Sequence, residues 1–78
     1  MTITDKDMER YYLNRFNIYK KDYDRVFDWA LKNWYKMLPL AQGKSAISIA
    51  DQIAQACRIS YSVGADIANI ISLSKAIQ

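Results

Sequence analysis

The 78-residue sequence contains no histidine and only one cysteine, Cys57. One cysteine cannot form an intrachain disulfide, and a Cys/His metal site cannot be assembled without histidine. The lack of histidine also removes the usual general base near neutral pH, and the sequence has no Gly-rich phosphate loop and no nucleophile-elbow pattern. We therefore expect no enzymatic activity and no metal, cofactor or small-molecule ligand, and we interpret Cys57 as a small buried hydrophobe.

Long apolar runs and a strong charge of one sign are also missing. Polar residues interrupt every apolar cluster, and no segment approaches the ~18 consecutive apolar residues of a membrane span. The N-terminal segment MTITDKD lacks the basic and apolar regions of a signal peptide. The net charge is only +3, and Lys and Arg alternate with Asp and Glu instead of gathering in a nucleic-acid-binding patch. We expect a cytoplasmic protein with no membrane partner.

Glycine and proline are absent from residues 4–38, which carry both tryptophans, both phenylalanines and all tyrosines but one. Apolar side chains recur there at helical spacing, opposite a charged face. This stripe comprises Met8, Tyr12, Phe16, Tyr19, Tyr23, Val26, Phe27, Ala30, Trp34 and Met37. Thr4 and Asp7 form a capping-box pair at its start. An unbroken helix would span roughly 50 Å, so we expect either a break near residues 20–22 or a long helix that packs on another subunit.

The second half is rich in Ile, Ala and Ser, and it follows a turn at residues 39–44 that contains Pro39 and Gly43. A helix is predicted over residues 45–58, capped by Ser45 or Ser48. Another is predicted over residues 60–77, capped by Ser60 or Ser62. The sequence therefore predicts one all-α domain over residues 1–78, a small bundle of three or four helices in which a long aromatic helix precedes a helical pair.

Residues 49–71 resemble a helix-turn-helix motif, in which a tight turn joins two short helices. Ala54 corresponds to the small residue of the first helix, Ile59–Ser60 to the turn pair and Ile67 to the apolar anchor of the second helix. The pattern departs at Arg58, where the motif usually has glycine for a positive φ, and at Gly64, where a branched apolar residue is expected. The resemblance implies a DNA-binding dimer. Base edges would be read by Ser60, Tyr61, Ser62 and Asn69, and phosphates would be contacted by Lys44 and Arg58.

Charge disfavours that alternative, because Lys75 is the only cation in residues 60–78 and a recognition helix needs donors and cations. Apolar and aromatic helix surface is abundant instead. Tyr11, Ile18 and Trp29 form a minor stripe beside the main one. These side chains either pack under the third helix or are exposed, and in the exposed case we predict that they anchor a protein partner together with Trp34. For a homodimer interface, we predict the isoleucines Ile67, Ile70, Ile71 and Ile77.

These patterns favour a non-enzymatic protein that binds another protein. The chain is small, lacks catalytic groups and has more apolar helix surface than it needs for a core. In these respects it resembles small regulators and inhibitors carried by phages and mobile elements. We expect a homodimer that blocks a surface of its target stoichiometrically, in a helix-in-groove manner. The alternative is a small helix-turn-helix transcriptional regulator.

Overall fold

The computed structural model describes residues 2–77, and for Ile77 it describes the backbone only. The chain forms four α-helices: α1 (Asp5–Phe16), α2 (Lys20–Met37), α3 (Ile49–Cys57) and α4 (Tyr61–Ile77), with a short 3₁₀ turn at Pro39–Ala41. No strand occurs in the described residues. The predicted all-α bundle is confirmed. None of the helices in this part of the chain is long and apolar enough to cross a bilayer.

The aromatic first half is a helix pair rather than one helix. The Thr4 hydroxyl accepts a hydrogen bond from the Asp7 amide, and the Asp7 carboxylate accepts one from the Thr4 amide, as the capping box predicts. The first helix ends at Asn17, whose left-handed backbone (φ 56°, ψ 43°) is tolerated better by asparagine than by most residues. The break therefore precedes residues 20–22. Lys20 instead opens α2 and pairs with Asp24.

The helical pair begins later than predicted, because residues 45–47 have no helical structure. Ser48 is the cap of α3, and its hydroxyl accepts a hydrogen bond from the Asp51 amide. Ser60 caps α4, since its hydroxyl accepts from the Val63 amide at 3.5 Å. The turn between the two helices contains Arg58 in the left-handed region, at φ 54°. The positive φ that a helix-turn-helix assigns to glycine is therefore present here on an arginine.

One glycine is required by the packing of α3 against α4. A methyl group on Gly64 would lie 2.5 Å from the carbonyl oxygen of Ala50, on the backbone of α3. A branched apolar residue at this position, as in the usual motif, would force the two helices apart. The backbones of α3 and α4 therefore approach each other closely at Ala50 and Gly64.

The core lies between α2, α3 and α4. Its fully or nearly buried apolar side chains are Tyr23, Val26, Ala30, Trp34, Met37, Ala50, Ile53, Val63, Ile67 and Ile71. Helix α1 contributes no buried residue. It packs mainly on the start of α2, where the rings of Tyr12 and Phe16 lie 4.4 and 5.9 Å from the ring of Tyr23.

Three predicted interface residues belong to this core. Trp34 is only 4% exposed, so its prediction as a partner anchor is wrong. Ile67 and Ile71 are buried against α2 and α3 within one chain, so they are not available to a second subunit. Within a single chain, the apolar faces of α2 and α4 that carry these three residues already cover each other. Ile70 is exposed, and the side chain of Ile77 lies outside the described residues.

Helices α3 and α4 run in opposite directions along α2. The Tyr23 hydroxyl donates to Asp66 near the start of α2, and the Lys75 ammonium contacts Tyr35 near its end, so α4 runs alongside α2 in the same direction. Helix α3 runs the opposite way, because Gln52 in its first half donates to the carbonyl oxygen of Met37.

Candidate functional site

The residues predicted to bind a partner do not form one surface. Tyr11 is exposed on α1, and its ring packs edge-on against Tyr12. Ile18 is half-buried in the connection between α1 and α2. Trp29 is half-buried in the middle of α2, on the side that faces α3. Of these residues, only Trp29 lines the apolar groove described below.

The groove has a volume of about 480 Å³ and is formed by α2, α3 and the connection between them. Its apolar wall consists of Trp29, Met37, Leu40, Ile47 and Ala56. We call it the Trp29 groove. Leu40 is 59% exposed, and Ile47 is also exposed, although both are large aliphatic residues. Two exposed aliphatic side chains beside a half-buried tryptophan are typical of a binding surface.

Hydrogen bonds hold the walls of the groove in place. The side-chain amide of Gln52 donates to the carbonyl oxygen of Met37 at 3.0 Å and to that of Ile47 at 2.8 Å. The Ile47 amide in turn donates to the carbonyl oxygen of Leu40 at 2.9 Å. One glutamine thus ties the end of α2 and the loop to α3, and it leaves the Leu40 and Ile47 side chains facing outward. The shape of the groove is thus supported by hydrogen bonds within one chain.

The rim of the groove is polar and carries a positive charge. Asn33, Gln52 and Gln55 supply amides, and Lys36 is the only charged residue in the lining. Three other cations of α2 form ion pairs along the helix, whereas Lys36 has no acidic partner within residues 2–77. An acidic group on a ligand would therefore find an uncompensated ammonium beside an apolar wall.

Sequence reasoning missed most of this groove. Leu40 falls in the predicted turn at residues 39–44, and Ile47 and Gln52 fall in the helix predicted over residues 45–58, with no functional role predicted for any of the three. The available signal was the presence of large aliphatic residues on both sides of Gly43, in a segment that cannot be a core helix. The hydrogen bonds of Gln52 leave no pattern in the sequence.

A second cleft of about 350 Å³ separates the α1–α2 connection from the α3–α4 turn. Arg25, Arg58 and Asp22 line it, together with Ile18 and Cys57. Arg25 forms an ion pair with Asp22 at 3.1 Å. Burial raises the pKa of the Cys57 thiol, and the nearby Arg25 charge opposes that rise only in part. The thiol therefore stays protonated at neutral pH, and the cleft shows no activated nucleophile.

The residues of the DNA-binding alternative are all exposed. Arg58, Ser60, Tyr61 and Ser62 lie together at the turn before α4 and in its first turn, and Asn69 follows two helical turns later. Lys44 is separated from them, because it lies in the connection that enters α3 whereas Arg58 lies in the turn that leaves it. The one cation of α4, Lys75, is near the opposite end, with its ammonium 4.8 Å from the centre of the Tyr35 ring. The structure thus brings only one of the two predicted phosphate contacts to the start of α4.

No cluster of three or more acidic or cysteine side chains occurs among residues 2–77. No protein-family model matches the chain, and comparison with curated proteins and with solved structures also gives no significant match. The function must therefore be inferred from the chemistry of the chain's own residues.

Proposed function

We propose that this chain is a small non-enzymatic regulator or inhibitor that binds one target protein stoichiometrically through the Trp29 groove. The observation that carries the proposal is the apolar groove in which exposed Leu40 and Ile47 flank Trp29. Tryptophan is the residue type most often found at the energetic centre of protein interfaces. A target that fills the groove would have its own functional surface covered, which is sufficient for inhibition.

The chemistry of the groove defines the occupant. The wall between Trp29 and Leu40 suits one or two large apolar side chains from a helix or loop of the target. Lys36 at the rim suits an aspartate or glutamate next to that anchor, which would add orientation and speed of association. We therefore propose a target segment with an apolar anchor flanked by a carboxylate.

Selection from a displayed library of random peptides tests this occupant without knowledge of the target. Enriched peptides should contain an apolar residue next to Asp or Glu, and they should bind Trp29→Ala at least tenfold more weakly than the original chain. The Lys36→Glu variant should lose the acidic preference but keep the apolar one. Tyr19→Ala is a matched control, because it removes an exposed aromatic ring outside the groove.

Fluorescence provides the second readout. The chain has two tryptophans, and Trp34 is in the core, so a change of emission on peptide binding reports on Trp29. The proposal fails if no peptide family is enriched, or if the enriched peptides bind Trp29→Ala and Leu40→Glu as tightly as the original chain. Circular dichroism must show that both variants keep their helices.

DNA binding is a second candidate, and the observation that favours it is the turn between α3 and α4. This turn has the positive φ of a helix-turn-helix at Arg58, and Ser60, Tyr61 and Ser62 are exposed at the start of the second helix. The candidate requires retardation of duplex DNA that weakens steeply with salt and falls in Arg58→Ala. Unretarded duplex at low salt would exclude it.

A further inference from the structure

We infer that α1 and α2 also form one continuous helix, in which α1 packs on the α2 of a second copy of this chain. In the structure of one chain, α1 folds back on its own α2 through a short connection at residues 17–19. Exchange of an identical element between two copies is a low-cost route to a dimer. The Trp29 groove is not involved, because its lining residues run from Trp29 to Ala56.

The break between the two helices depends on one strained residue. Asn17 has a left-handed backbone at φ 56°, which costs energy for a residue other than glycine. The start of α2 has no capping side chain, because Tyr19 occupies the cap position, whereas hydroxyls of Thr4 and Ser48 cap α1 and α3. Residues 4–38 contain neither glycine nor proline. Rotation of the Asn17 backbone into the right-handed region would therefore remove the break.

Helix α1 is weakly held within one chain. The buried residues of the core all belong to α2, α3 and α4, so α1 can leave without loss of a core side chain. A helix of 12 residues is only marginally stable in water by itself. As an extension of α2 it needs no nucleus of its own, since each added residue continues an existing helix. The released α1 is therefore expected to stay helical.

The aromatic stripe keeps one phase across the break. At 100° per residue, Tyr12, Tyr19 and Tyr23 lie within about 40° of one another on a continuous helix. In the folded-back chain, however, Tyr19 is 52% exposed. On the continuous helix its ring lies in the stripe, between Phe16 and Tyr23. The continuous helix therefore accounts for a large ring that the folded-back chain leaves uncovered.

The contacts of α1 identify what covers the exposed stripe. Tyr12 and Tyr23 are 11 positions apart in the sequence, which corresponds to about 16 Å along a continuous helix. Their rings, which lie 4.4 Å apart in the folded-back chain, cannot meet within one continuous helix. The Tyr23 ring is then open to the Tyr12 ring of a second copy. The occupant of this surface is thus another α1, whose fit is already observed within one chain.

The order of the stripe residues suits a two-fold axis. Six stripe residues around the break form three pairs, each centred between residues 17 and 18. These pairs are Met8 with Phe27, Tyr12 with Tyr23, and Phe16 with Tyr19. Two antiparallel helices that meet at this centre therefore place each residue opposite its counterpart in the other copy. Such a self-complementary surface is the requirement of a two-fold dimer.

Two substitutions of Asn17 test the inference in opposite directions. Asn17→Ala favours the right-handed helix, whereas Asn17→Gly favours the left-handed turn. The two variants should differ at least about tenfold at each connection. Since a dimer contains two connections, their dimerisation constants should differ at least about a hundredfold. Sedimentation equilibrium should give twice the 9.1 kDa monomer mass for Asn17→Ala at concentrations where Asn17→Gly is monomeric.

The same pair of changes at Arg58 is the matched control. Arg58 has nearly the same backbone conformation, at φ 54°, but it lies in the turn between α3 and α4 and outside the stripe. Arg58→Ala and Arg58→Gly should therefore dimerise as the original chain does. A further variant, Asn17→Ala combined with Tyr19→Ala, removes a ring from the paired stripe and should weaken the dimer at least about tenfold.

Mixed isotope labelling shows whether α1 is exchanged. In a dimer of one labelled and one unlabelled Asn17→Ala chain, isotope-filtered NOEs should join the Tyr12 ring of one copy to the Tyr23 ring of the other. A dimer in which this contact stays within each chain would overturn the inference, because its interface would lie elsewhere.

The remaining outcomes also decide. A monomeric Asn17→Ala at every concentration, with helicity retained by circular dichroism, would overturn the inference. If this variant loses helicity, the original chain at its highest soluble concentration should show the exchanged Tyr12–Tyr23 contact, and absence of that contact would contradict it. Peptide binding in the Trp29 groove is a separate measurement, so failure of the proposed function would leave these results unchanged.

Discussion

The Tyr23 hydroxyl donates a hydrogen bond to the Asp66 carboxylate, with 2.5 Å between the two oxygens. The two residues are 43 positions apart, and the bond joins the first turns of α2 to α4. The Tyr23 ring is also the surface on which Tyr12 and Phe16 pack. One tyrosine therefore links α1, α2 and α4.

Tyr23→Phe should destabilise the fold by about 1–2 kcal/mol. The substitution keeps the ring contacts but removes a hydrogen bond to a carboxylate, and such bonds are worth about 1.5–3 kcal/mol when fully desolvated. Asp66 is only half-buried, so water recovers part of the loss. Urea unfolding followed by circular dichroism measures the change. Tyr19→Phe, which removes an exposed hydroxyl, should change stability by less than about 0.5 kcal/mol.

The same pair makes stability depend on alkaline pH. Burial and the hydrogen bond to Asp66 raise the pKa of Tyr23 well above its ordinary value of 10.0. The stabilising contribution is complete below pH 10.0, and it is lost as the pH rises further, because the unfolded chain releases the proton before the folded chain does. The stability difference between the original chain and Tyr23→Phe should therefore shrink above pH 10.0. Urea titrations on both sides of that pH provide the measurement, and a constant difference would contradict it.

The sequence was sufficient for the fold class because local signals decided it. The capping pair Thr4–Asp7 and the candidate cap Ser48 were readable from the sequence, and both start helices in the structure. The break of the first helix was harder to place. The polar residues at 20–22 suggested it, but Lys20 and Asp24 stabilise a helix start, and the left-handed backbone of Asn17 ends α1 instead.

The site was much less predictable, because helical spacing shows which residues share a face but not which face another helix covers. Trp34 and Ile67 were expected at interfaces, and both are buried because α2 packs directly against α4. No role was predicted for Leu40 and Ile47, which lie in a loop of the structure. Their position depends on the side chain of Gln52, which donates hydrogen bonds to the carbonyl oxygens of Ile47 in the loop and Met37 at the end of α2 and so holds that loop against α3. Tertiary contacts of this type have no local periodicity.

Gly64→Ala should destabilise the chain by about 2–3 kcal/mol, at the upper end of the cost of overpacking. The new methyl group would lie 2.5 Å from the backbone oxygen of Ala50, which cannot move without displacing α3. On an open helix surface the same change would be favourable by up to about 1 kcal/mol. Ser72→Ala, at an exposed position of α4, is the control and should be neutral or slightly stabilising. Thermal unfolding compares the two variants, and equal melting temperatures would contradict the close approach of α3 and α4.

Arg58→Gly should stabilise the chain by about 0.5–1 kcal/mol. A non-glycine residue in the left-handed region costs about 1–2 kcal/mol, which the substitution removes. The greater entropy of glycine in the unfolded chain offsets part of that gain. The φ of Arg58 is 54°, and its side chain forms no ion pair within residues 2–77. Asn17→Gly at φ 56° should have a smaller effect, since asparagine already tolerates this conformation. Arg58→Ala separates the two causes, because it removes the same charge but keeps the strained backbone, and it should not stabilise. In a chain of this size, the gain from glycine corresponds to a rise of roughly 2–8 °C in melting temperature. If Arg58→Ala raised the melting temperature as much as Arg58→Gly, the stabilisation would come from loss of the charge and not from relief of the backbone.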